Sequence, residues 1–334
     1  MTAKLYLVLL SVIAVKSGGD FGFSQEKFGI KKEAYEKAAR RGIVHPVIGV
    51  SAPLTNPRNL SSPSYIPASY IKFLEGSGAQ VIPIPASTPV SKLKRLLPYL
   101  NGYALPGGIS PMLTSPYYHH ATVVLEFARK SYKKGSLFPV IGICLGLQTM
   151  LVLANNGDES VREYCDSNGI SLPLTFTPDV KSSRLFGKAP EDIMKILSTE
   201  DVTHNHHIRC MTPSVFQENP NMKKHFKILS TNKDRNGKEF ISIIEGIRYP
   251  FFGLQWHPEK VAYEFLPDQD IPHFHSAIRA AQYIGNTFVE LCRKNKHYLP
   301  YDTLKDMVIA NYCPRHTSLT GNSIFEEQYF FPSL

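Results

Sequence analysis

Phe138-Pro139-Val140-Ile141-Gly142-Ile143-Cys144-Leu145-Gly146-Leu147-Gln148 opens as an apolar run and changes character at one cysteine set between two glycines. A short buried strand that passes through a tight glycine-flanked turn into a helix lifts its turn residue above the sheet. A thiol placed there faces a helix N-terminus, which favours thiolate. The backbone N–H of Leu145, the residue after the thiol, can point at a developing oxyanion. Cys144 is the candidate nucleophile. Far downstream, Gly253-Leu254-Gln255-Trp256-His257-Pro258-Glu259 brings a histidine off the end of another apolar strand. Pro258 biases His257 away from helix and toward a strand edge. Glu259, two residues on, can accept a hydrogen bond from the imidazole and fix its orientation, giving a relay of nucleophile, base and orienting carboxylate.

Outward from the cysteine, strands and helices alternate. Residues 46–50, 80–85, 102–105 and 139–143 read as short buried strands, and residues 68–75, 89–100 and 117–134 as the helices between them. This pattern predicts an α/β fold with a doubly wound, mainly parallel sheet flanked by helices, its site along the C-terminal strand edge. On that edge Pro106-Gly107-Gly108 follows a strand and offers Gly108 as a second oxyanion donor. The second half predicts an antiparallel extension. Residues 226–230 and 240–245 flank the turn-rich Asn232-Lys233-Asp234-Arg235-Asn236-Gly237, residues 250–255 form a strand, and residues 276–294 have helical periodicity. The Tyr/Phe-rich end after Pro300 reads as a packed tail or lid.

The 334 residues contain no internal linker after residue 46, so one domain is expected over 20–334, with a core of about 46–297. Residues 1–19 read as a secretory signal. Leu5 to Val15 is apolar apart from Ser11 and too short to span a bilayer, with cleavage expected between Ser17 and Asp20. The other reading of this run is a buried first strand, which the polar, lysine-rich stretch up to Arg41 argues against. Asn59-Leu60-Ser61 is a glycosylation sequon that gains meaning with export. Of the 5 cysteines, Cys165, Cys210, Cys292 and Cys313 could form up to two bridges in an oxidising compartment, and spacing does not choose among the pairings. The plain reading of Cys165 and Cys292 is a small buried hydrophobe.

A net charge of +9 attracts anions, but the basic residues are scattered and lack an RNA-binding aromatic motif. A solvated surface is the first reading, a polyanionic small substrate the second, and nucleic acid the third. No metal is assigned. The histidines at 119–120, 204–207, 273 and 275 lack a helix motif of metal-ligand spacing, and thiol chemistry needs no metal. Tyr65 and Tyr70 read as helix-packing aromatics, with Tyr65 also suited to line a pocket.

Together Pro106-Gly107-Gly108, the Cys144 segment and Gln255-Trp256-His257-Pro258-Glu259 resemble the class I glutamine amidotransferase-like superfamily. Tyr65-Ile66-Pro67-Ala68-Ser69-Tyr70-Ile71-Lys72, Glu245-Gly246-Ile247-Arg248-Tyr249-Pro250 and the Glu259-Lys260 step make the chain similar to the gamma-glutamyl hydrolase family from residue 46 onward. That resemblance implies Cys144 as nucleophile, His257 as general acid and base, and His207 as a further functional histidine. It also implies substrate contacts at Tyr65 and Gln148, no cofactor, a secreted or lysosomal location, a homodimer, and poly-gamma-glutamylated folates as substrate. Neither nucleic acid nor membrane is an expected partner. Gln148 departs from the resemblance, since the family often carries Glu there. The alternative is a glutaminase or amidotransferase domain releasing ammonia from glutamine. Such domains work with an ammonia-consuming synthase, and this sequence carries no ATP-binding module of that kind.

Overall fold

The computed structural model describes residues 25–40, 45–59, 61–320 and 323–333. The candidate signal over 1–19 lies outside the described residues. Helix α1 (Gln25–Arg40), rich in Lys, Glu and Ala, belongs to an N-terminal unit that ends at Ile43; a second unit starts at Val44.

The second unit runs β1 (Val47–Ala52), β2 (Ser64–Pro67), α2 (Ala68–Glu75), β3 (Gln80–Pro85), α3 (Val90–Leu96), β4 (Gly102–Leu105) and α4 (Pro116–Lys133). Then come β5 (Val140–Ile143), α5 (Leu145–Ala154), β6 (Glu163–Leu172), β7 (Thr175–Phe176), α6 (Glu191–Thr199) and β8 (Thr203–Cys210). The chain continues through α7 (Pro213–Glu218), α8 (Pro220–His225), β9 (Phe226–Lys233), β10 (Glu239–Gly246) and β11 (Phe251–Leu254). It finishes with α9 (His275–Arg293), α10 (Tyr301–Met307), β12 (Arg315–His316) and β13 (Glu327–Phe331).

Eight strands form the main sheet in the order β3-β1-β4-β5-β11-β10-β9-β7. The first five are mutually parallel, and the last three add antiparallel neighbours. Strands β1, β4, β5 and β11 are buried at every position, as parallel strands covered by helices on both faces must be. The Phe226/Phe240 hairpin forms as the turn signal predicts, with Gly237 in the left-handed region at φ +78°. Because β4, β5 and β11 are adjacent and parallel, the segments leaving their C-terminal ends must meet. Those segments are Pro106-Gly107-Gly108, Cys144 and Gln255-Trp256-His257.

Two smaller sheets were not legible in the apolar pattern. Strands β6 and β8 form an antiparallel pair cross-linked by a Cys165–Cys210 disulfide with a Cα–Cα distance of 5.9 Å. Cys165 is therefore a bridge half and not a free buried thiol, whereas Cys292 is buried and free and Cys313 is exposed and free. Strand β13 pairs antiparallel with β2 and carries the buried Phe331, so the packed body extends past residue 297. The segment after Pro300 is thus a tail tied into a three-stranded sheet, β12-β13-β2.

Candidate active site

Cys144 takes φ +51° and ψ −102°, a conformation that residues with a Cβ rarely adopt. The surroundings hold it there. Its N–H donates to the Leu254 carbonyl at 2.7 Å, and its carbonyl accepts from the Gln148 N–H at 3.1 Å, closing the first turn of α5. The flanking glycines are required by contact. A Cβ on Gly142 would stand 2.6 Å from the Gly146 carbonyl carbon, and one on Gly146 would stand 2.3 Å from the Leu105 carbonyl oxygen. The helix can start this close to β4 only because neither residue has a side chain.

A third glycine lies between Cys144 and His257. A Cβ on Gly107 would fall 3.2 Å from Cys144 Cβ, 2.9 Å from His257 Cε1 and 2.8 Å from the Tyr70 hydroxyl. Gly108 follows at φ +147° and lines the same cavity. The Leu145 N–H is directed at the Cys144 sulfur. His257 Nδ1 is 2.6 Å from Glu259 Oε1, which leaves Nε2 as the ring nitrogen without a partner among the described residues. With Nδ1 donating to the carboxylate, Nε2 is the atom that can take a proton.

Tyr70 has a larger part in this arrangement than its packing position suggests. Its hydroxyl accepts from the Gly107 N–H at 2.8 Å and lies 3.4 Å from His257 Nδ1. It ties the Gly107-Gly108 turn to the histidine. Sequence marks Tyr70 only as a helix-packing aromatic, which its buried place on α2 also makes it.

Burial sets the charges. It pushes the Cys144 thiol up to about 12, with the Glu259 carboxylate adding to the rise; the Leu145 N–H, Lys260 and Gln255 oppose it by less. The thiolate expected from the helix N-terminus is outweighed, because a helix end of roughly half a charge does not compensate for full desolvation of an anion. Burial and the nearby Lys260 cation hold His257 well below the ordinary histidine range, and burial raises Glu259. Both groups are thus held in their neutral forms, a thiol and an imidazole.

The cavity that reaches Cys144 encloses about 450 Å³. Cys144, Leu145, Gly108, His257, Tyr65, Gln148 and His207 all line it. Glu259 stands behind His257, fully buried. His206 also reaches the cavity, and His207 Nε2 is 3.2 Å from Asn205 Oδ1, with its ring edge against Phe240. His204 contributes its carbonyl, which accepts from the His257 N–H at 2.8 Å. Burial lowers both His206 and His207 to about 3, so both are neutral. Asn59 does not line the cavity: it is exposed, its Oδ1 accepting from the Ser61 N–H at 3.0 Å. Arg162, Arg209 and Phe325 line the cavity too, and nothing in their sequence contexts marks them. Among the described residues no group of three or more His, Cys, Asp or Glu side chains is arranged to hold a metal ion. No helix among them is long and apolar enough to cross a membrane.

A family model described as Peptidase C26 matches residues 46–259, from the first parallel strand to the carboxylate behind His257. The chain belongs to the Peptidase C26 family. Gamma-glutamyl hydrolase of Rattus norvegicus is 35% identical over 308 residues, covering 91% of this chain and 95% of that protein. The Bos taurus protein of the same name is 36% identical over 290 residues, covering 86% and 89%. Gamma-glutamyl hydrolase 1 of Arabidopsis thaliana is 34% identical over 292 residues, covering 86% and 80%. The Peptidase C26 match takes in β1 to β11 and stops before β13, so Phe325 comes to the cavity from outside the matched stretch.

Proposed function

We propose that this protein is a cysteine-dependent hydrolase that cleaves gamma-glutamyl isopeptide bonds in poly-gamma-glutamylated folates. The observation that carries the reading is the convergence of Cys144, His257 and the Gly107-Gly108 turn on three adjacent parallel strand ends, in a chain whose relatives are named gamma-glutamyl hydrolases. In this reading the Cys144 sulfur attacks the gamma-carbonyl carbon while its proton passes to His257 Nε2. The backbone N–H groups of Leu145 and Gly108 hold the oxyanion. The tetrahedral adduct collapses by breaking the carbon–nitrogen bond, and His257 gives its proton to the leaving amine. Water then attacks the thioester, loses a proton to His257 and releases the glutamyl acid and the free thiol. Glu259 and Tyr70 keep the imidazole in the tautomer and orientation these transfers require.

No cofactor enters any step. The apolar run from Leu5 to Val15 supports export to a secreted or lysosomal location. The Cys165–Cys210 bridge fits the oxidising environment on that route.

The test is to incubate purified protein with folate-linked poly-gamma-glutamate and, separately, with glutamine, alongside a Cys144→Ala variant. Wild-type protein should shorten the gamma-linked chain, and the variant should lose on the order of 10⁴-fold or more in kcat. Ammonia release from glutamine with an intact gamma-linked chain would instead establish a glutaminase.

A further inference from the structure

One wall of the Cys144 cavity carries charge that the hydrolytic steps leave unused. Arg162 and Arg209 both line the cavity, and among the described residues no acidic side chain does. Gln148 joins them, its Nε2 donating to the Arg209 carbonyl at 2.8 Å and its Oε1 accepting from Arg162 Nη1 at 3.5 Å. Gln148 stands one helical turn beyond Cys144 and donates its N–H to the Cys144 carbonyl, so both arginines are tied to the turn that starts at the thiol.

Both guanidinium groups keep donors that no protein group among the described residues uses. Arg162 Nη2 pairs with Glu159 Oε2 at 2.8 Å, but the Glu159 side chain is 48% exposed and water shares its charge. Arg162 Nε is buried with no partner among the described residues. The Arg209 side chain forms no hydrogen bond or ion pair among them. Lys260 also lines the cavity, with its Nζ donating to Gln269 Oε1 at 2.8 Å and lying 5.2 Å from the Phe325 ring centroid. The identity of residue 148 matters to this balance. A carboxylate there would close on Arg162 and cancel its charge, whereas the neutral amide leaves the charge for a ligand. Two guanidinium forks with open donors on a cavity free of acids are suited to carboxylates.

We propose that Arg162 and Arg209 form a carboxylate-binding pair that grips the free α-carboxylates of a gamma-linked glutamyl chain and so makes the site prefer anionic chains over neutral amides. This rests on the gamma-glutamyl hydrolase reading. Each residue of a poly-gamma-glutamate carries one free α-carboxylate, so the ligand presents a row of the groups the pair would hold.

The experiment compares two gamma-linked chains of equal length, one with free α-carboxylates and one with α-carboxamides. Wild type, Arg162→Gln, Arg209→Gln, the double variant, Arg209→Lys and Gln148→Glu are each assayed on both. Each arginine removed should lower the carboxylate-to-carboxamide ratio of kcat/KM by about tenfold, mainly through KM. Arg209→Lys should recover part of the loss, and Gln148→Glu should lower the ratio as Arg162→Gln does. Near-ultraviolet circular dichroism checks that the fold is kept; Arg209, exposed and unpaired among the described residues, gives a variant whose folding does not depend on the side chain. Equal losses on both chains, or an unchanged ratio, would overturn the pair. Wild type that cleaves both chains equally well overturns the pair alone, whereas wild type that cleaves neither overturns the functional reading and the pair with it.

Discussion

Strand β5 and helix α5, which hold Cys144, are buried at nearly every residue, whereas β6 and β8, which wall the cavity, alternate between buried, half-buried and exposed positions. The first region is fixed by backbone packed against backbone. The second is held by a cross-link and by individual side-chain contacts. The difference teaches where each kind of precision lies: the geometry of Cys144, the proposed nucleophile, rests on contacts with no slack, and the cavity wall rests on contacts that can be exchanged singly.

The sharpest way to break that contrast is Gly146→Ala. The added Cβ would meet a backbone oxygen at 2.3 Å, which no side-chain rotation relieves. A loss of more than about 4 kcal/mol in urea unfolding, with activity lost alongside, is expected. A near-wild-type midpoint would show that the α5 start has more room than its contacts indicate.

The cavity wall should respond next. The Cys165–Cys210 bridge spans a sequence separation of 45. On the chain-entropy account, closing such a loop stabilises by about 4 kcal/mol. Replacing both cysteines by alanine should lower the thermal midpoint and raise KM more than it lowers kcat, because the bridged strands carry the wall and not the thiol. An effect confined to kcat would place the bridge's influence on the parallel half instead.

Proton uptake separates the regions more gently. His207 on β8 is held at about 3 by burial, against 6.5 for an unfolded histidine. A depressed value means that the unfolded chain binds the proton first, so its stabilising contribution is complete above pH 6.5 and is lost as pH falls toward about 3. The slope is about 1.4 kcal/mol per pH unit. Urea midpoints across this window should fall less steeply for His207→Gln than for wild type.

The smallest effect belongs to Gly237→Ala. Its φ of +78° disfavours a Cβ, yet nothing lies within 4 Å of one, so about 1 kcal/mol is expected. Measured beside Gly146→Ala in the same unfolding assay, it separates the conformational demand on a glycine from the steric one.

The same division governs what the sequence could reveal. Strands β3 and β4 are read to the residue because an apolar run bounded by Gly, Pro or a polar neighbour fits little besides a buried strand. Cys144 and His257 stand out because their glycine and proline neighbours have a backbone reason to be there. Glu-Tyr-Cys-Asp-Ser-Asn-Gly-Ile-Ser-Leu and Thr-His-Asn-His-His-Ile-Arg-Cys carry no such signal, since neither strand buries a regular apolar face. Their pairing depends on each other, and it also decides which cysteines bridge. Arg162 and Arg209 are isolated basic residues in sequence, brought to one wall by the β6–β8 pair and by Gln148. Strand β13 was hidden for a similar reason, because its partner β2 lies more than 250 residues earlier in the chain.

That last pairing has a bearing on synthesis. Phe325 lines the cavity and Tyr65 faces it across a ring-centroid distance of 6.3 Å, just ahead of the β13–β2 pairing. While a ribosome is still extending the chain, Cys144 and His257 can already be folded and the cavity still lacks this side. The last side of the cavity is thus supplied by chain made after the strands that carry Cys144 and His257, and it is walled there only once β13 has paired with β2.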